Sequence, residues 1–170
     1  MIAALLQAAR PDISIQGVDV LARAETQIPV VEFDGESLPY EANSFDVVTL
    51  VDVLHHTVDP LILLREAVRV ARQDVIIKDH TREGLLAGVT LRFMDRTGNR
   101  RHGVELPYNY WRREQWARAF NSIGAEVRDW NQQIHLYWWP ASLLFDRSLH
   151  FVARLNTRKQ STAMVEEIVR

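Results

Sequence analysis

Phe45-Asp46-Val47-Val48-Thr49-Leu50-Val51 is the stretch that decides the fold. It is β-branched and apolar at both odd and even positions. A strand with one wet face alternates apolar and polar, so this run reads as a strand buried between two helical layers of a parallel sheet. Downstream, Asp59 is placed to N-cap a helix with Pro60 at its first position. Leu61, Leu64, Val68 and Ala71 would form its apolar stripe, with Arg65, Arg69 and Arg72 pointing elsewhere and an end near Gln73. Asp74-Val75-Ile76-Ile77-Lys78-Asp79 then reads as a second buried strand.

Upstream, residues 1–11 read as the end of an amphipathic helix stopped by Pro11-Asp12. The apolar start carries no basic leader, so it reads as helix rather than signal peptide. Residues 13–19 alternate and end on Asp19, as a strand does. Val30-Val31-Glu32-Phe33 is a short strand closed by the turn pair Asp34-Gly35. Short strands alternating with helices imply a doubly wound, Rossmann-like α/β sheet with right-handed crossovers.

The second half is less regular. Residues 81–110 carry Arg82, Arg92, Arg96, Arg100 and Arg101 and look like an insertion over the sheet, partly helical from 84 to 94. Residues 110–122 predict a helix with Trp111, Trp116, Ala119 and Phe120 inward and Gly124 at its C-cap. Residues 125–131 and 149–155 are strand-like and are joined by an excursion through 134–147. One domain over 1–155 and a mobile or helical tail over 156–170 are expected.

Bulk properties exclude several classes. A length of 170 residues suits one domain, and the net charge of -2 lacks the basic face a nucleic-acid partner needs. No apolar run reaches the roughly 20 residues that span a bilayer. The chain has no cysteine, which removes disulfides, thiolate nucleophiles and thiolate-held metals and fits a cytoplasmic location. Asp79-His80 and Asp95 with His102 contain possible ligand types, but no pair has compact metal spacing, so no metal is expected. His55-His56 is the one plausible acid–base pair, because histidine titrates near neutrality. A histidine hydrogen-bonded to backbone is the competing reading for at least one of the two. Pro107-Tyr108-Asn109-Tyr110-Trp111 reads equally as a pocket lining and as the anchor of the next helix.

Three segments, in order, make the chain resemble the small-molecule, type 11 class I S-adenosylmethionine-dependent methyltransferases. They are Gly17-Val18-Asp19-Val20; Asp34-Gly35-Glu36-Ser37-Leu38-Pro39-Tyr40 followed by Asn43-Ser44-Phe45-Asp46; and Val51-Asp52-Val53-Leu54-His55-His56 leading into Asp59-Pro60. The likeness is strong over residues 1–80, and 111–155 is similar, more weakly, to the antiparallel final hairpin of that fold. The resemblance implies S-adenosylmethionine as cofactor and a small-molecule methyl acceptor. It sets Asp19 at the ribose, Asp34 and Gly35 at the adenine, and Val51-Asp52 at the methionine end, with Val20 a further cofactor contact. His56 becomes the candidate catalytic base, and His55, Tyr108 and Tyr110 the candidate substrate contacts. Asp19 also reads as a plain strand-end turn former, Asp34-Gly35 as a plain turn, and Asp52 as a turn cap.

The family's first strand and its Gly-rich turn are not in this sequence, and Met1 falls almost where that turn should end. Loss of a central strand would leave several backbone groups without partners at roughly 1–3 kcal/mol each, against the roughly 5–15 kcal/mol that holds a domain together. The expectation is therefore a chain compromised as a stable, active monomer, through a start codon set too late, a fragment, or closure of the gap in a non-catalytic protein. Two other functional classes are carried forward. One is a non-catalytic partner or regulatory subunit. The other is a nicotinamide-dependent oxidoreductase, which shares the acid after its second strand but does not explain Leu38-Pro39-Tyr40 or Leu54-His55-His56.

Overall fold

The computed structural model describes residues 2–21, 25–99, 107–134, 136–145 and 148–157. Arg100, Arg101, His102 and the tail from 158 onward, on which some of the expectations above fall, lie outside the described residues. The chain divides into two compact units, Met1–Tyr40 and Glu41–Arg170. Among the described residues no helix is long and apolar enough to cross a membrane.

The first unit contains helix α1 (Ile2–Ala9) and two short parallel strands, β1 (Gly17–Asp19) and β2 (Val30–Glu32). The strand predicted from residue 13 begins only at Gly17, where the ladder to β2 starts.

The second unit is a four-stranded sheet in the order β3-β4-β6-β5, with β3 (Phe45–Val51), β4 (Ala71–His80), β5 (Glu126–Asn131) and β6 (His150–Asn156). β3 and β4 are parallel, while β6 runs antiparallel to both β4 and β5. The α/β class and the antiparallel C-terminal hairpin match the reading from sequence. Val75, Ile77 and Asp79 of β4 lie in register with Leu155, Ala153 and Phe151 of β6, and all six are buried. Helices α2 (Pro60–Val70) and α4 (Arg113–Ser122) complete this core with Leu63, Leu64, Ala67 and Val70, and with Trp116, Ala119 and Phe120. Each such side chain withdrawn from water contributes about 1.5–3 kcal/mol for the larger residues. α3 (Ala87–Asn99) and the single turn α5 (Ser142–Phe145) lie in the two irregular regions.

Three expectations need correction. β3 is not buried on both faces: Asp46, Val47 and Thr49 are exposed, Val47 by 44%. Its apolar composition is that of a central strand, but among the described residues it stands at the end of the four-strand order, with β4 as its one ladder neighbour. The inward face of α2 is Pro60, Leu63, Leu64, Ala67 and Val70, about one residue away from the predicted stripe. Pro60-Leu61-Ile62-Leu63-Leu64 is apolar all round, so its composition leaves the helical phase open. The helix also stops at Val70, because Ala71 turns extended and opens β4.

The cap itself is as expected. Asp59 is extended, its side chain accepts from the Leu61 N–H at 2.9 Å, and Pro60 follows it into the first turn. Asp59→Ala should cost about 1 kcal/mol. Urea unfolding should then show a lower midpoint at unchanged slope, and an unmoved midpoint would contradict the capping role.

Candidate functional site

In the first unit the two predicted acids stand at the carboxyl ends of neighbouring parallel strands. Asp19 closes β1 and Asp34 follows β2, and the Phe33 N–H to Asp19 carbonyl bond of 3.1 Å carries the pairing past the last ladder residue. Ligands of open α/β sheets bind at such ends. Asp19 Oδ1 accepts the Leu21 N–H at 3.1 Å. Asp34 Oδ1 accepts from the Ser37 and Glu36 amides at 2.7 and 2.8 Å, which holds its carboxyl below the usual carboxylate range. Gly35 has φ +88, and a Cβ there would meet Val20 Cγ1 at 3.2 Å. Glycine thus serves both the left-handed turn and a close approach of the two loops. Asp19 lines a cavity of about 370 Å³ with Ala3, Ala4, Leu21, Ile28 and Val30. That volume lies at the lower end of small-ligand pockets.

In the second unit the chain leaves β3 through Asp52, in the left-handed region at φ 52, and forms a 3₁₀ turn over Leu54–His56. This turn meets the carboxyl end of β4, where Asp79 is completely buried. One Asp79 oxygen accepts the Leu54 N–H at 3.0 Å, and the other lies 2.6 Å from His55 Nδ1 and 2.7 Å from the His80 N–H. On its far side, His55 Nε2 lies 3.5 Å from Asp95 Oδ1, and the Tyr110 hydroxyl donates to the other Asp95 oxygen. His55 is only 2% exposed. Burial alone would lower its pKa, but the hydrogen bonds and charges of Asp79 and Asp95 prevail and raise it to about 9. Asp79 is shifted the opposite way: burial pushes it up, and bonding to His55 and His80 holds it well below the carboxylate range. The pair is ionised, a cation held between two carboxylates.

His56 differs from its neighbour. It is part-exposed, and its pKa is lowered, first by burial and then by the charge on His55 beside it. At neutral pH it is an imidazole with a free lone pair to offer. The two rings are 4.0 Å apart between centroids.

The loop after residue 106 returns to the same turn. The Asn109 N–H bonds the His55 carbonyl at 3.2 Å, and Tyr110 stacks on His55 at 5.6 Å. Tyr108 is half-buried at φ 53, a conformation that costs a bulky side chain of order 1–3 kcal/mol and persists where packing enforces it. The fold gathers His55, His56, Tyr108 and Tyr110, with His55 and Tyr110 turned inward and hydrogen-bonded to acids. Asp52 joins a neighbouring ion pair: Lys78 Nζ contacts both its oxygens, at 2.6 and 2.7 Å. Its charge is thereby matched by an ammonium already present.

Reasoning from sequence missed two members of this cluster in their actual roles. Asp79 was visible as the end of a buried strand, and adjacent parallel strands bring their carboxyl ends together. Asp95 sits four residues after buried Leu91 and eight after buried Ala87 on α3, so it is an acid on the inward face of a helix. Such a residue is buried only when it has a partner. The spacing of the ligand-type residues looked too wide for a metal, yet folding brings one donor atom each of His55, His56 and Asp95 within 4.8 Å of one another.

Comparison with known proteins bears on the fold. Residues 3–77 match the family described as methyltransferase domain. No curated protein matches the sequence. Among solved structures, the chain is similar to one of a complex between the Haloferax volcanii Trm112 methyltransferase activator and a methyltransferase. The identity is 15%, over 92% of this chain and 79% of that one, with a TM-score of 0.67. A Methanosarcina mazei protein described as an S-adenosylmethionine-dependent methyltransferase is 14% identical over 89% and 85% of the two chains, with a TM-score of 0.62. One from Mesorhizobium loti is 13% identical over 84% and 80%, with a TM-score of 0.58. At these identities the likeness is one of fold.

Proposed function

We infer that this chain, a class I S-adenosylmethionine-dependent methyltransferase of type 11 by the family of residues 3–77 and by fold, moves a methyl group to a small-molecule acceptor. The observation that carries the reading is the pair of acids closing β1 and β2, with Gly35 drawn against Val20. These residues suit the adenosine end of the cofactor. The Asp19 carboxylate can accept from both ribose hydroxyls, Asp34 can accept from the adenine amino group, and the Gly35 turn leaves room for backbone to approach the ring. When bound, the cofactor supplies a sulfonium methyl that is already activated toward a nucleophile. The chain's part is then to orient the acceptor and to deal with its proton.

In the second unit Lys78 engages the Asp52 carboxylate. We assign acceptor contact to His56 and Tyr108, the part-exposed members of the cluster, and a positioning role to His55 and Tyr110. The neutral His56 ring has a lone pair that an acceptor proton, or a cation that binds the acceptor, can use. His56→Gln should lower the rate of methyl transfer by about 100-fold with unchanged affinity for S-adenosylhomocysteine. A rate within a few-fold of the parent would remove His56 from the mechanism.

Calorimetry tests the reading as a whole. Saturable heat with S-adenosylhomocysteine and none with a nicotinamide dinucleotide is the expected result, and the reverse pattern would replace it with an oxidoreductase. A protein partner is the second reading, favoured by the activator bound to the similar Haloferax volcanii methyltransferase. Binding of S-adenosylhomocysteine without methyl transfer by the chain alone would move the weight to it.

A further inference from the structure

The two nitrogens of His55 face different surroundings. Nδ1 is held by Asp79 at 2.6 Å, and Asp79 is itself fixed by the Leu54 and His80 amides. This anchoring fixes the ring and aims Nε2 at Asp95 Oδ1, 3.5 Å away. That separation is at the outer limit of a hydrogen bond. It is instead close to the distance between two ligands of one tetrahedral ion, about 3.4 Å for bonds of about 2.1 Å. The Tyr110 hydroxyl binds the other Asp95 oxygen and so steadies the carboxylate. His56, next on the same 3₁₀ turn, offers a nitrogen within 4.8 Å of both other donor atoms.

We propose that His55, His56 and Asp95 bind one divalent cation of the zinc type, with Asp79 orienting His55 from behind. Two imidazoles and a carboxylate are donors that suit such an ion, and a carboxylate behind a ligating histidine is its usual support. A second grouping, Asp52, His55, Asp79 and His80, also converges within 4.8 Å but is poorer. There Lys78 already binds both oxygens of Asp52, and both Asp79 oxygens accept hydrogen bonds. Three protein ligands leave a fourth position, and His56 is the part-exposed one of the three. In the loaded protein His56 is a ligand, and the acceptor's oxygen occupies the open position. Only this last step rests on the methyltransferase reading; cation binding does not.

The test uses the full chain, stripped with a chelator and titrated with Zn²⁺ by calorimetry and with Co²⁺ by visible absorption. One equivalent should bind with a tetrahedral cobalt spectrum. His56→Gln and Asp95→Asn should each lose more than the roughly 10–100-fold that removing a supporting partner costs. His150→Gln, whose ring packs on His80 and not on the trio, should bind as the parent does. The part-exposed position of His56 makes its variant the one expected to keep the fold, with far-ultraviolet circular dichroism as control. No saturable uptake by the parent, or uptake unchanged in His56→Gln, would overturn the site. Metal uptake without S-adenosylhomocysteine binding would sink the enzymatic reading and keep the ion site, and the opposite result would do the reverse.

Discussion

Asp79→Ala should cost the chelator-treated protein about 3–5 kcal/mol of folding stability, the scale on which a buried ion pair is broken from one side. The carboxylate is fully buried and accepts from His55, the Leu54 N–H and the His80 N–H, so its loss strands three donors at once. The pH dependence has a definite sign. His55 titrates at about 9 when folded and near 6.5 when unfolded. Its contribution is therefore complete below about pH 6.5 and is lost as pH rises through about 9. Asp79 is depressed, so its contribution is present above the ordinary carboxylate pKa and lost only as pH falls far into acid. Both shifts express one interaction and count once. Urea unfolding of the parent should show stability declining between about pH 6.5 and 9, and Asp79→Ala should flatten that slope. A variant within 1 kcal/mol of the parent, with the slope intact, would show that the cluster is not an ionised network.

Asp19→Ala should weaken S-adenosylhomocysteine binding by about 10²–10⁴-fold. Two charge-assisted hydrogen bonds to the ribose are worth roughly 1.5–3 kcal/mol each, or about 3–6 kcal/mol together. The Leu21 N–H to Asp19 contact is a local turn bond worth about 1 kcal/mol, and urea unfolding of the variant reads the cost to the fold separately. Asp19→Asn keeps an acceptor of the same shape without the charge, so it should fall between the two. Calorimetry on the three proteins gives the order directly. Equal affinity in Asp19→Ala and the parent would detach the end of β1 from the cofactor and undo the ribose assignment.

Features with local causes were legible in the chain. The Asp59-Pro60 cap, the turn at Asp34-Gly35 and the order of strands and helices are set by residues close in sequence. The phase of α2 was not, because its first five residues are apolar on every side. The exposure of β3 was not either. Val47 and Val48 announce a strand, but burial depends on how many neighbours flank it. The candidate site divides along the same line. Asp19, Asp34 and His56 stand on short motifs and could be picked out. The pairing of His55 with Asp79, 24 residues away, and with Asp95 on α3 needed the fold. The expectation of no metal came from spacing along the chain, which does not register side chains gathered from two elements, the 3₁₀ turn and α3.

Among the described residues β3 ends the strand order of its own sheet, which has a consequence for how this unit behaves in quantity. A seven-residue strand rich in valine at the border of a sheet is a template onto which another extended segment can zip. The acid of Asp46 is occupied by Arg72, so it offers little charge repulsion there. Self-association should then rise with concentration and with salt, and a lysine in place of Val47 would act as a gatekeeper against it.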